Sequence, residues 1–290
     1  MPSHDAQHGR FGSFGHGSQV LVAMFDNRPL DRDFSSHKYN AWSFAARLNQ
    51  LFACHHGYEF KYFVTDANTT TGLGQPTVDE WTGTARRPAP FKTAVSCWLN
   101  GNVARATSWC KLTGVAVGLA LGYTTVVMVD SDAFLRVGGL TLTVEQMVQR
   151  HAPPPGQYGA LVDSAPIWLA NNVPWGREEP NCGLQIWRGG PLLHRSWSAL
   201  HAWWHADRNP LTHGFEQAGL YAALQRWSDY SVLVELPWMN KSAWTKLPAV
   251  HISSGDRGER MRVMGNNQSV EAVIQVSRSI YGASAVSRTI

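Results

Sequence analysis

The sequence predicts an α/β protein: one Rossmann-like domain with a mainly parallel central sheet. Short apolar runs alternate with stretches of helical periodicity, the pattern of a sheet covered by helices on both faces. One run, residues 124–129 (TTVVMV), is β-branched, free of charge and followed at once by two aspartates. A strand without polar alternation reads as buried on both sides, as parallel strands are. The 290 residues fit one large domain.

Taken in order, residues 1–18 are rich in Gly, His and Ser and read as a disordered tail. Residues 19–25 (QVLVAMF) read as a buried strand, and 26–33 as a polar loop. Trp42, Ala45, Leu48, Leu51 and Phe52 recur at helical spacing over 39–55, and Gly57 stops that helix. Residues 58–64 (YEFKYFV) alternate and predict a second strand. Residues 66–90 are too long and polar for a simple connection and read as a functional loop.

A helix over 104–121 ending at Gly122 then leads into the strand 124–129. A short helix follows over 143–150, with Thr143 at its start and Glu145 in its first turn. Residues 158–162, 184–187, 232–236 and 249–252 are strand candidates; 191–205 and 215–225 read as helices. The domain is expected to span 19–265, with 266–290 as a C-terminal extension.

Composition narrows the function. The net charge is +4, with only 16% charged residues. No basic stripe interleaved with aromatics is present, so nucleic acid is not the expected partner. The 13 tryptophans suit a core and also suit sugars, whose C–H faces pack on indole rings. The four cysteines, Cys54, Cys97, Cys110 and Cys182, form no C-x-x-C pair, which argues against a structural zinc site; a reduced set is the expectation, with one or two disulfides as the alternative. No signal peptide opens the chain. Residues 112–129 carry no charge and approach a membrane span in length, but Gly114, Gly118 and Gly122 interrupt them. A buried helix plus a buried strand explains the run, so no span is expected. The chain is then expected to be cytoplasmic, or a domain whose anchor has been removed.

The segment Asp130-Ser131-Asp132 carries the chemistry. Two carboxylates at one strand end suit Mn²⁺ or Mg²⁺, whose coordination is completed by phosphate oxygens and water. If the extended geometry persists past Val129, both carboxylates face one way. Turn or capping aspartates are the plainer reading. Ligands in α/β sheets bind at the carboxyl ends of strands, which puts Phe25, Asp26 and Asn27 beside a nucleotide base and ribose. His201 and His205 are spaced as in zinc proteases, but Ala202 stands where the catalytic Glu would be, so a zinc hydrolase is set aside.

These pieces, in this order, bear a likeness to a family. Residues 49–60 (NQLFACHHGYEF), Trp109-Cys110-Lys111, Val129-Asp130-Ser131-Asp132-Ala133, Asn181-Cys182-Gly183 with Arg188, Glu216-Gln217 and His251 follow one another across most of the chain. Together they resemble the Golgi-type galactosyl-, mannosyl- and xylosyltransferases that build yeast mannan and plant xyloglucan side chains. The resemblance implies a GT-A fold, a UDP- or GDP-sugar donor, a glycan or glycoprotein acceptor, Mn²⁺ and retention of anomeric configuration. It implies Asp130, Asp132 and His251 as the metal set, and Arg257 in place of the family's diphosphate-binding Lys, with Gly255 one position late.

The remaining roles are residue-by-residue expectations. Gln217 and Glu216 are candidates to stabilise an oxocarbenium-like centre or act as a weak nucleophile; an exposed helix position is the alternative for Gln217. Asp163 binds sugar hydroxyls or the acceptor, or is a loop aspartate. Asn181 and Gly183 approach the sugar, or form a turn before a strand. Lys111 meets a ribose or an aspartate, or is solvated. Ser131 joins the donor set. The rival to an enzyme is an inactive relative that binds glycan or nucleotide-sugar.

Overall fold

The computed structural model describes residues 20–26, 28, 30, 41–64, 96–99, 103–136, 142–151, 164–171, 180–206, 215–224, 231–237 and 249–251. Its elements run β1 (Val20–Asp26), α1 (Ala41–His55), β2 (Glu59–Val64), β3 (Ser96–Leu99), β4 (Val103–Ala106), α2 (Cys110–Ala120), β5 (Thr125–Val129), β6 (Ala133–Leu135), α3 (Val144–His151), β7 (Ile167–Asn171), β8 (Pro180–Arg188), α4 (Leu193–Trp204), α5 (Phe215–Leu224), β9 (Ser231–Pro237) and β10 (Ala249–His251).

Six strands form an open sheet in the order β2-β1-β5-β8-β7-β9. Pairings are parallel except at β8, which runs against both β5 and β7. The sheet is therefore mixed and largely parallel, as expected. Every residue of β1 is buried, because helices cover both faces. Val20, Val22 and Met24 face the layer holding Phe44, Leu48 and Phe52 of α1. Leu21, Ala23 and Phe25 face the opposite layer, built from α2, α4 and α5. β5 alternates in the same way, with Val127 and Val129 on the α1 side and Val126 and Met128 on the α2 side.

The charge-free run 112–129 is this helix and strand. α2 lies so close to the sheet that a Cβ at Gly118 would stand 2.8 Å from Val126 and 3.0 Å from Leu21 side-chain atoms. The glycines permit helix–sheet contact. Among the described residues no helix is long and apolar enough to cross a membrane.

Local signals act where the sequence places them. Gly57 and Gly122 adopt φ of 69° and 88°. At each, the following residue donates to a carbonyl five positions back (Tyr58 to Ala53, Tyr123 to Gly118), while the glycine donates three back. These are Schellman caps, which need a left-handed residue. Thr143 and Gln146 form a reciprocal capping box at the start of α3, at 3.1 and 3.0 Å.

Three expectations change. The helix predicted from residue 104 begins at Cys110: Val103–Ala106 instead pairs antiparallel with Ser96–Leu99, followed by a 3-10 turn at Thr107–Trp109. Apolar residues between polar ones fit either element there, and the hairpin partner decided. β8 is longer than the run 184–187, because Pro180–Gly183 add to a sheet that burial completes. β6 and β7, three and five residues long, carry too short a pattern to stand out. The candidate strand 158–162 lies outside the described residues. Cys110 is disulfide-bonded, while Cys54 and Cys182 are free thiols; cysteine spacing alone does not reveal this bond.

β6 is held from beneath by Asn49, which is fully buried in α1. Its amide donates to the Ala133 carbonyl at 3.0 Å and accepts from the Leu135 amide at 2.8 Å. β10 pairs with the other edge of β6 and sets His251 opposite Ala133.

Candidate active site

The strand order reverses between β1 and β5. The chain leaves β1 through α1 to reach β2 on one side, and α2 on the other face delivers β5 on the opposite side. The crevice outside the carboxyl ends at such a switch point is where α/β sheets bind ligands. Asp26 ends β1; Asp130, Ser131 and Asp132 follow β5.

The Asp130–Asp132 segment is not extended. The Ala133 amide donates to the Asp130 carbonyl at 3.0 Å, closing a turn, and the Asp130 amide donates to Gly183 at 2.9 Å. Simple strand alternation therefore does not relate the two carboxylates. It does place Asp130, since Val126, Met128 and Asp130 share the α2 face.

There Lys111 meets it. The Lys111 side chain is 5% exposed, and its Nζ donates to Asp130 Oδ1 at 2.5 Å and pairs with Glu216 of α5. Of the readings open to Lys111, the aspartate partner is the one observed. Burial opposes the ammonium, but the carboxylates of Asp130 and Glu216 outweigh it and hold Lys111 protonated, well above its ordinary range. Burial likewise pushes Glu216 up, and Lys111 overrides this to keep it an anion. The Cys182 thiol is pushed well up by burial and by Glu216, so it stays neutral. Its Sγ lies 3.3 Å from Glu216 Oε1 and 3.4 Å from Gln217 Oε1. The Gln217 amide nitrogen donates to Tyr221 at 2.8 Å. Trp203 donates to the Glu216 carbonyl at 2.7 Å, tying α5 to α4.

A second cluster faces outward. Arg28 donates to both oxygens of the buried Asp26, from Nε at 2.7 Å and Nη2 at 2.5 Å, and its Nη2 also reaches Ser131 Oγ at 3.3 Å. Its guanidinium stacks 4.0 Å above the Trp42 ring. The Asp26 bond, and the charges of Asp26, Tyr62 and Asp132, hold it above its ordinary range against partial burial.

The structure thus brings together Asp26, Lys111, Asp130, Ser131, Asp132, Asn181, Gly183, Glu216 and Gln217 around the carboxyl ends of β1 and β5. Asn181 and Gly183 lie within β8, with Asn181 Oδ1 accepting from the Gly183 amide at 2.7 Å. Phe25 packs in the α2-side core at 4% exposure. Asn27, Asp163 and Arg257 lie outside the described residues, as does the His251 side chain. Among the described residues, no three His, Cys, Asp or Glu side chains form a ready-made metal cluster. Arg28 and Cys182 were not expected. An Arg two residues past a strand-end Asp was a usable signal for the first; a lone Cys beside Asn181 gave none for the second.

Among the described residues, four formal negative charges (Asp26, Asp130, Asp132, Glu216) stand near two positive ones (Arg28, Lys111), an excess of two negative charges. Hard oxygen donors with that excess fit one divalent cation, with a ligand's oxygens completing its shell.

No known family model and no curated protein matches the sequence. Among solved structures, the fold is similar to a glycosyltransferase involved in glycosylation of the major capsid of PBCV-1, at 13% identity, over 85% of this chain and 98% of that one, with a TM-score of 0.51. Weaker likenesses include glycosyltransferase GlyE of Streptococcus pneumoniae TIGR4 (13% identity, 91% and 64% coverage, TM-score 0.45) and galactosyltransferase LgtC, solved with donor and acceptor sugar analogs (10%, 90% and 95%, 0.37). The architecture is the GT-A type of such glycosyltransferases.

Proposed function

We propose that this protein is a metal-dependent glycosyltransferase that moves a hexose or pentose from a UDP- or GDP-sugar to a glycan hydroxyl with retention. One observation carries the reading: at the switch point of a GT-A sheet, Asp130 and Asp132 sit on one turn while Lys111 and Glu216 form a buried ion pair against Asp130. A buried charge cluster with perturbed ionisation at the ligand end of such a sheet is the pattern of a functional site.

Asp130 and Asp132 would hold Mn²⁺ or Mg²⁺, with His251 as a third ligand from β10. When bound, the cation would stabilise the negative charge of a departing nucleoside diphosphate. The protein's own groups do the rest. Lys111 fixes the Asp130 carboxylate from behind and keeps Glu216 ionised. Glu216 and Gln217 line the reacting sugar and stabilise positive charge as the bond from its anomeric carbon to the diphosphate oxygen breaks. The acceptor oxygen forms the new bond on the same face and its proton passes to the leaving phosphate. Asn27, Asp163 and Arg257 keep their proposed donor and acceptor roles. The Cys110 disulfide supports an oxidising compartment, such as a Golgi lumen.

The test is Asp132→Ala, assayed for hydrolysis and transfer across a panel of UDP- and GDP-sugars with and without Mn²⁺. Both activities and the Mn²⁺ response should vanish together, with the melting temperature of the ligand-free protein kept. An Asp132→Ala protein that still turns over donor refutes the assignment.

A further inference from the structure

We propose that Arg28 is a donor-contacting residue that binds the phosphate of the nucleotide; the inference rests on the sugar-nucleotide reading and deepens it. The guanidinium lies at the switch point itself, bonded to Asp26 at the end of β1 and to Ser131 just past β5. Among the described residues it is the cation that bonds to both strand ends between which a ligand of this fold sits.

The two cations of the site are deployed differently. Lys111 is 5% exposed, and its ammonium is committed to Asp130 and Glu216. It can set the charge of the pocket but cannot reach out of it. The Arg28 side chain is 44% exposed. Asp26 and Ser131 occupy Nε and Nη2, and among the described residues Nη1 has no hydrogen-bond partner. One edge of the fork is clamped by a buried carboxylate, the flat face rests on Trp42, and Nη1 on the other side meets none of the described residues through a hydrogen bond. A guanidinium fixed in this way loses little rotamer entropy when an oxyanion arrives, and the two N–H groups of Nη1 carry its charge toward that oxyanion.

The alternative is a bracket that only holds the β1 loop against the Asp130–Asp132 turn. A bracket needs the Asp26 and Ser131 bonds but no solvent-facing edge, and it predicts no preference for phosphate.

The experiment measures binding of UDP, GDP, uridine and guanosine to wild-type, Arg28→Gln and Arg28→Lys proteins, by calorimetry in Mn²⁺ at two salt concentrations. Wild type should bind one diphosphate, and Arg28→Gln should weaken that binding at least tenfold while leaving the matching nucleoside unchanged. Arg28→Lys keeps the charge without the fork and should fall between, so it decides the matter if Arg28→Gln does not fold. Equal loss of diphosphate and nucleoside marks a bracket and overturns the proposal. Wild-type diphosphate affinity in both variants overturns it too, while leaving the sugar-nucleotide reading intact. Failure of wild type to bind any of the four removes that reading, and this proposal with it.

Discussion

Replacing Lys111 by Met removes a buried ammonium from between two carboxylates while keeping the volume of its stem. At the observed 2.5 Å contact, the attraction to Asp130 alone is about 7 kcal/mol at an effective dielectric of 20. Most of that offsets the cost of taking both ions out of water, so the pair adds little by itself. Removing one partner is different. Glu216, 7% exposed, is then left as a buried anion whose counter-charge is gone. The expected loss is about 3–5 kcal/mol, which for a domain of this size lowers Tm by roughly 10 °C. Adding Glu216→Gln to Lys111→Met deletes the orphaned charge and leaves an amide that still accepts from Cys182. The double variant should recover about half the loss. Chemical denaturation of the four proteins of this cycle gives the coupling energy directly. A Lys111→Met protein that melts within about 2 °C of wild type, or a double variant less stable than Lys111→Met, refutes the argument that Lys111 compensates Glu216.

Gly219→Ala tests how α5 is seated. A Cβ there would run into the ring of Trp109, which is fully buried and cannot swing away. Overpacking of this kind costs about 1–3 kcal/mol, and because Glu216 and Gln217 lie one turn earlier on α5, activity should fall further than stability. His56 provides a pH signature. Burial of the imidazole, with the neighbouring His55 charge, pushes its pKa down to about 4, and its Nε2 has no hydrogen-bond partner among the described residues. The unfolded chain then binds the proton more tightly, so this contribution is complete above about pH 6.5 and is lost as pH falls from there toward 4. Discounted for its partial exposure, the effect is on the order of 1 kcal/mol, and His56→Gln should flatten the Tm profile between pH 7 and 5.

Much of this protein was legible without coordinates, because it rests on local rules. The buried strands at residues 19–25 and 124–129, the stop at Gly57, the stop at Gly122 and the start at Thr143 each follow from patterns within a few residues. The Asp-Ser-Asp segment stood out as an acidic end to a greasy strand. That Lys111 meets an aspartate was open as one of three choices. What lay beyond reach was long-range. Nothing near residue 103 says that it will find β3 as a partner instead of joining α2. Nothing in the Asp130–Asp132 spacing reveals a turn instead of extended chain. The bonds of Cys182 to residues 34 and 35 positions later, and of Arg28 to one 103 positions later, depend on how layers stack. Periodicity along a chain encodes which face of an element is buried; it carries no information about which partner that burial delivers. The amino-acid order determined the α/β class and the acidic strand end, and only tertiary packing determined which charges share the crevice.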